Sequence, residues 1–272
     1  MTNITIGADP EFFLSTNGKL KSAIDVVGGH KSAPRPLSRP GFFVQEDNVA
    51  VEFNIPPATN IEEFCESIQW AIKTIADEVD YQYEPAILAS AIFPATELKD
   101  ARALIFGCER DFNAWQMGQA NPRPYALNEK LRSCGGHVHT GYPQHANIDR
   151  LRLIQLNDLY LGVPSVLMDE DQQRRLLYGK AGAFRPTDYG VEYRVLSNFW
   201  IKTPELISWV FTQTTRAFEK ALEFGKPVSG VKDAFHHFME SHDLCDEIQH
   251  AINGSNPVLA QKLVAHHDLV VI

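Results

Sequence analysis

Two histidines, His137 and His139, stand two residues apart in Cys134-Gly-Gly-His137-Val-His139-Thr-Gly141. In a strand, residues i and i+2 face the same side, so this spacing predicts two imidazoles projecting into one space. A neutral imidazole ligates metal and a protonated one contacts phosphate. The adjacent glycines let another group approach the backbone closely. Three other segments repeat the period of two: Asp9 and Glu11 flank Pro10, Glu52 and Asn54 flank Phe53, and Glu192 and Arg194 flank Tyr193. Carboxylates crowd together at a cost unless a cation lies between them, and Mg²⁺ favours oxygen ligands shared with substrate phosphates. Arg194 could stabilise phosphoryl oxygens as charge moves.

Taken singly, each pair is also what a solvated sheet face or a surface Glu–Arg pair looks like. Their conjunction predicts a sheet lined with carboxylates, imidazoles and guanidinium groups and backed by helices. Such a sheet is a floor for metal–nucleotide chemistry. Arg174, Arg175, Lys180 and Arg185 surround a Gly-rich turn suited to polyphosphate, although no GxxxxGK[ST] P-loop occurs. His137, His139 and a carboxylate such as Glu52 would also satisfy zinc, which keeps a zinc hydrolase open as the alternative. A relative that only binds nucleotide or protein ranks last, because the acidic residues are present.

These groups need a scaffold, and the chain can build one. It has 272 residues, 44% of them hydrophobic, enough for a substantial core. The formal charge of −9 disfavours non-specific nucleic-acid binding and adhesion to anionic membranes. MTNITIGADPEFFLS lacks a basic segment followed by an apolar run, and no stretch of about 18 apolar residues occurs. Cys65, Cys108, Cys134 and Cys245 are far apart with no CxxC, which predicts free thiols in a reducing cytoplasm.

Ile4 to Leu14 reads as a strand, with a kink at Gly7 to Pro10. A short strand is predicted near Leu20 to Val26, and one or two strands over Phe42 to Phe53. Asn60 to Asp80 has a capping residue and the apolar stripe of a helix. Tyr83 to Phe93 and Gly190 to Asn198 read as strands, and Leu131 to Tyr142 carries the His pair on another. Asp149 to Gly162 and Thr203 to Phe224 read as helices, the second with Pro204 at the favoured first position. Gly28 to Gly41 and Pro94 to Tyr125 read as loops, with His30, Arg35, Arg39 and Trp115 as candidate substrate contacts. One α+β domain over 1–272 is expected, with a helical C-terminal region from about 226. The chain shows no heptad or obvious self-pairing edge that would set an oligomeric state.

The motifs GADPEFFL, EDNVAVEFNIPPA, SCGGHVHTGY, RRLLYGKAGAFR and YGVEYRVLSNFW, in this order over roughly residues 4 to 225, resemble the phage-type COOH·NH2 ligase family (type 2). That family lies among the glutamine synthetase-like carboxylate–amine ligases. The resemblance implies a curved antiparallel sheet with helices on one face. It implies ATP and two or three Mg²⁺ ions, or Mn²⁺ in their place. It also implies an acyl-phosphate intermediate from which an amine displaces phosphate. The substrates would be small-molecule or peptide carboxylates and amines, and the setting the cytoplasm, of the host if the chain is phage-encoded. By motif, Asp9, Glu11, Glu52, His137 and Glu192 would hold metal. His139, Arg175, Lys180, Arg185 and Arg194 would contact the nucleotide, with Arg194, Glu52 and Arg185 closest to the chemistry. Asp9 departs from the commoner Glu. Glu46 or Asp47 could supply a further acidic ligand.

Overall fold

Alternation along one strand sets the architecture. The computed structural model describes residues 4–104, 110–122, 128–240 and 243–272; Cys108 and part of the expected loop from Pro94 to Tyr125 lie outside them. The first strand, Thr5–Thr16, sits at the middle of the sheet. Its Ile6, Ala8, Phe12 and Leu14 enter the main core, whereas Phe13 joins a smaller core on the other face. Asp9 and Glu11 share the face of Phe13 by the period of two.

On one side the first strand pairs with Ala50–Asn54, which pairs with Phe43–Asp47 and then Arg35–Pro36. On the other side it pairs with Gly136–Gly141, followed by Gly190–Tyr193, Ala183–Thr187, Phe112–Asn113 and Gln119–Ala120. Lys19–Lys21 and Glu84–Ala86 pair with its far end. Every pairing is antiparallel. The α+β architecture with a large antiparallel sheet is therefore as expected.

Two long helices cover the core face. Ile61–Glu78 is capped by Asn60, whose side chain accepts from the Glu63 N–H. It buries Phe64, Ile68, Ala71 and Ile75. Each large apolar side chain on that stripe contributes roughly 1.5–3 kcal/mol. Pro204–Phe224 starts at the Thr203 cap and packs against it. Phe64 stacks on Trp200 at 5.9 Å. Phe13, Val49, Phe93, Leu98 and Cys134 form the smaller core and close one end of the polar face.

Several elements differ from the sequence reading. No kink forms at Gly7 to Pro10; the register runs unbroken from Thr5↔Gly141 to Pro10↔Gly136. Pro10 cannot donate to the ladder, and the next residue resumes it, the Glu11 N–H donating to the Gly135 carbonyl at 2.9 Å. The strand near Leu20 to Val26 shrinks to Lys19–Lys21 because the chain turns through a left-handed Asp25. Tyr83 to Phe93 splits: Glu84–Ala86 joins the first strand and Ser90–Ile92 pairs with Leu131–Ser133. The helix expected over Asp149 to Gly162 is Arg150–Asn157 followed by a wide π turn, Asp158–Gly162, and a further helix, Val163–Met168.

The C-terminal region is helical, with Ala234–Glu240, Leu244–Asn253 and Pro257–His266. Ile248, Ile252 and Leu263 enter the main core. Among the described residues no helix is long and apolar enough to cross a membrane. Cys65, Cys134 and Cys245 are free.

Candidate functional site

The two glycines before the His pair have a structural cause. A Cβ on Gly136 would collide with the Ser197 carbonyl and the Trp200 indole nitrogen. Trp200 also donates to the Gly136 carbonyl at 3.0 Å. A Cβ on Gly135 would stand 2.6 Å from Nε2 of His137. What approaches this backbone is thus the protein itself: one glycine admits the neighbouring segment, the other admits the imidazole.

Register then assembles the site. Asp9 lies opposite His137, His139 opposite Glu192, and Glu192 opposite Arg185. Glu11 lies opposite Glu52, and Glu52 opposite Gln45. One face therefore carries a continuous polar row across six strands.

Asp9, His139 and Glu192 form one cluster, and Glu11, Asp47 and Glu52 a second; each offers three ligand atoms within 4.8 Å of one another. In the first, Asp9 Oδ1 stands 3.1 Å from His139 Nε2 and 3.4 Å from His137 Nδ1. His137 Nδ1 is also 3.3 Å from Glu192 Oε1. Both imidazoles thus face the same carboxylates. Arg194 donates to Glu192 Oε1, and Arg185 Nη1 lies 3.3 Å from Glu192 Oε2. In the second cluster, Glu11 Oε2 accepts the Gly135 N–H at 2.8 Å.

The two clusters differ electrically. Burial pushes the Glu11 carboxyl up to about 8, the Asp47 charge adds to this, and the Gly135 N–H opposes it. Burial also holds Glu52 well above its ordinary value, reinforced by Asp9, Glu11 and Asp47. Asp9 behaves oppositely: burial works to raise it, but the two imidazoles outweigh burial and hold it below the usual carboxylate range. His139 is raised because the Asp9 charge overcomes burial, while burial and Arg194 lower His137. One cluster is balanced by imidazoles and guanidinium groups. The other gathers three carboxyls whose burial and crowding raise Glu11 and Glu52, with the Arg174 charge opposing the rise at Glu11.

The clusters open into two recesses. Glu11, Asp47, His137, Arg174 and Arg194 line a pocket at one end. His139, Tyr189, Asn54, Ile55 and Pro57 line a more apolar cleft at the other. Tyr189 bonds to His139 Nδ1 and its ring lies nearly parallel to the imidazole.

Of the residues predicted to contact nucleotide, His139, Arg185 and Arg194 reach this face, but Arg175 and Lys180 do not line either recess. Arg174 and Arg175 begin one helical turn, Arg174–Leu177. Consecutive helical residues point about 100° apart, so only one can face the pocket. Arg174 does, fixed by a bond to the Val195 carbonyl at 3.0 Å. Arg175 is 3% exposed and donates to Ser165 Oγ at 2.8 Å. Lys180 is half-buried, and burial followed by the Arg175 charge lowers its ammonium.

The loop from Gly28 to Gly41 fastens the helix layer. Arg35 binds Glu78 at 2.8 Å; Arg39 binds Glu66 at 2.9 Å and lies over Trp70. His30 bonds to Ser32. Trp115 donates to Asp158. None of these four lines either recess.

Of Glu46 and Asp47, the two expected as a further acidic residue, Asp47 is the one that stands in an acidic cluster; it shares a strand face with Gln45, which lies opposite Glu52. Tyr189 and Asp158 have no assigned role in the sequence analysis. Tyr189 sits in the turn between Ala183–Thr187 and Gly190–Tyr193, where no periodicity exists to reveal it.

Residues 115–241 match the model of a protein family described as phage phiEco32-like COOH·NH2 ligase, type 2. The resemblance carried by the motifs is borne out over that span, which includes the His pair and Glu192-Tyr-Arg194. Among solved structures, the chain is similar to a bifunctional glutathione synthetase from Pasteurella multocida, at 10% identity and a TM-score of 0.44. That match covers 98% of this chain and 49% of the other, so this chain spans about half its length. It is also similar to a novel glutamine synthase homolog, at 10% identity and a TM-score of 0.35, covering 97% of this chain and 67% of that one. No curated protein matches it in sequence.

Proposed function

We propose that the chain is an ATP- and Mg²⁺-dependent carboxylate–amine ligase that activates a carboxylate as an acyl phosphate and passes the acyl group to an amine. The observation that carries this reading is the pair of adjacent three-residue clusters on one sheet face, with Arg185 and Arg194 converging on the Glu192 they share. The family match supports the bond type.

The residues fit divalent cations. Asp9 Oδ1 and His139 Nε2 are buried and lack a hydrogen-bond partner although they face each other. Glu11, Asp47 and Glu52 gather carboxylates at a distance that protonation or a cation must relieve. Bound cations would screen the negative charge on the transferring phosphoryl group and its two oxygen partners.

The protein's own groups supply the rest. Arg194 and Arg185 approach Glu192 from two sides, which places fixed donors where phosphoryl oxygens gain charge. His139 belongs to the first cluster and also lines the apolar cleft, so a nucleotide lying in that cleft would direct its phosphates past His139 toward Glu192. The carboxylate to be activated would then enter from the Glu11 end, where Arg174 supplies positive charge on the pocket wall. The two reactants approach from opposite ends of one row, as an in-line transfer requires. The proposed setting is the cytoplasm, where ATP is available.

The test is ADP release from ATP and Mg²⁺ with hydroxylamine as surrogate amine, across amino acids and cell-wall peptides. ADP formed together with a hydroxamate supports the ligase. Zinc retained through purification, with hydrolysis and no ADP, would replace it with the hydrolase.

A further inference from the structure

The strand bearing Glu192 and Arg194 is held from beneath by a group that sequence periodicity hides. Tyr193 lies between them and, by alternation, points to the opposite face of the sheet. It is fully buried there, and its hydroxyl donates to Asp158 Oδ1 at 2.8 Å. Asp158 Oδ2 accepts from the Gly182 N–H at 2.6 Å and from the Trp115 indole N–H at 2.6 Å.

One buried carboxylate thus ties together three separate segments. They are the strand of Glu192, the turn that leads into the strand of Arg185, and the short helical turn around Trp115. The site for it is made by the π turn Asp158–Gly162. Wide turns of this kind recur at functional positions. Gly162 in the same turn leaves the space the hydroxyl occupies, since a Cβ there would stand 2.7 Å from it. The charge of buried Arg175 acts on both Asp158 and Tyr193. Arg175 itself is held by a hydrogen bond to Ser165 Oγ at 2.8 Å.

We propose that Asp158, through Tyr193 and Gly182, is a positioning residue that sets where Glu192, Arg194 and Arg185 stand relative to the metal cluster. All three project from the two strands whose ends Asp158 joins. A buried carboxylate with three donors is costly to assemble. Two of the three, Tyr193 and Gly182, lie on the strand of Glu192 and at the entrance to the strand of Arg185. Displacements of about 1 Å at a reacting centre cost on the order of a hundredfold in rate. Anchoring these strands from the core face is therefore worth a buried polar network. The proposal rests on the site reading above, but one of its readouts does not need turnover.

The experiment compares Tyr193→Phe and Asp158→Asn with Phe218→Leu, a core change on the helix Pro204–Phe224 whose ring packs against Tyr142. Three quantities are measured on each full-length protein: melting temperature, Mn²⁺ affinity by titration, and kcat and KM in the hydroxamate assay. Tyr193→Phe removes one oxygen and should still fold. The expected result is that Tyr193→Phe and Asp158→Asn weaken Mn²⁺ binding about tenfold and lower kcat by about tenfold to a hundredfold. KM for the carboxylate should stay within about twofold, and Phe218→Leu should lower only the melting temperature. Equal losses of melting temperature in all three, with Mn²⁺ affinity and kcat unchanged in Tyr193→Phe, would overturn the proposal. Failure of the unaltered protein to bind Mn²⁺ would overturn it together with the metal site. Binding of Mn²⁺ that weakens in Tyr193→Phe, in a protein that makes no hydroxamate, would support it and count against the ligase reaction alone.

Discussion

Glu192 is where the charges of the site meet. It is 1% exposed, contacts Arg194 and Arg185, and lies 3.3 Å from His137. Glu192→Gln keeps the shape but removes the charge that two guanidinium groups share and that the proposed cation would share. Turnover should fall by about a hundredfold to a thousandfold, the scale of losing a preorganised electrostatic group, with the far-UV spectrum unchanged. Activity within a few-fold of normal would remove Glu192 from the site. Arg194→Lys should lower turnover as well, because a compact ammonium on a flexible stem does not reproduce the guanidinium whose Nη1 meets both Glu192 Oε1 and His137 Nδ1. Stability should carry a pH signature. Burial raises Glu11 to about 8 and Asp158 to about 7, each against the hydrogen bonds it accepts. In the unfolded chain both release their protons near pH 4. Between about pH 4 and 8 the folded chain therefore binds more protons, and stability falls as pH rises. His139, raised because Asp9 outweighs burial, adds to the same slope, while His137, lowered by burial and Arg194, opposes it. Asp9, held low, contributes only as pH drops below its ordinary value. The metal-free protein should melt progressively lower from about pH 5 to 8. Added Mg²⁺ should restore most at the upper end, where it takes the place of protons. A melting profile that rises over this range would show that these carboxyls are not buried as described.

At the scale of elements, the glycines before the His pair separate two requirements that look alike in sequence. Gly136→Ala forces a methyl into the Ser197 carbonyl and Trp200, groups fixed by the backbone and a buried ring. It should cost about 2–4 kcal/mol of stability. Gly135→Ala presses on the His137 imidazole, which can turn. It should leave melting nearly intact and weaken metal binding instead. Chemical denaturation and Mn²⁺ titration on the two variants give the comparison, and equal effects on both measures would contradict it. The paired residues were legible in the sequence because a strand converts spacing directly into a shared face. Asp9 and Glu11, Glu52, His137 and His139, and Glu192 and Arg194 all follow that rule. Where the backbone departs from a regular period, spacing no longer fixes which way a side chain points. Arg174 and Arg175 differ only by the rotation of one short helical turn, whose starting phase no flanking pattern fixes. Asp158 lies in a π turn, so a 3.6-residue count places it wrongly. The loop with Arg35 and Arg39 reads as a substrate loop because loops on a rigid floor usually set specificity. Their partners, Glu78 and Glu66, are on a helix that only the folded chain brings near.

At the scale of the whole molecule, the sheet separates two tasks. Its core face and the helices Ile61–Glu78 and Pro204–Phe224 supply the buried apolar area. The opposite face can then carry a density of buried charge that a smaller core would not tolerate. The clusters lie side by side along the first strand, with a recess beyond each. Under the proposed function, two reactants would enter from these opposite ends and the carboxylate would be activated before its acyl group passes to the amine. The most direct measurement follows oxygen. With the acid identified by hydroxamate formation, its carboxylate is labelled with ¹⁸O, the reaction is run with ATP, Mg²⁺ and amine, and the released phosphate is weighed by mass spectrometry. Acyl-phosphate chemistry transfers one labelled oxygen from the acid to each phosphate. Phosphate released with ADP but carrying no label would mean that water, not the carboxylate, takes the phosphoryl group, and the ligase mechanism would be wrong.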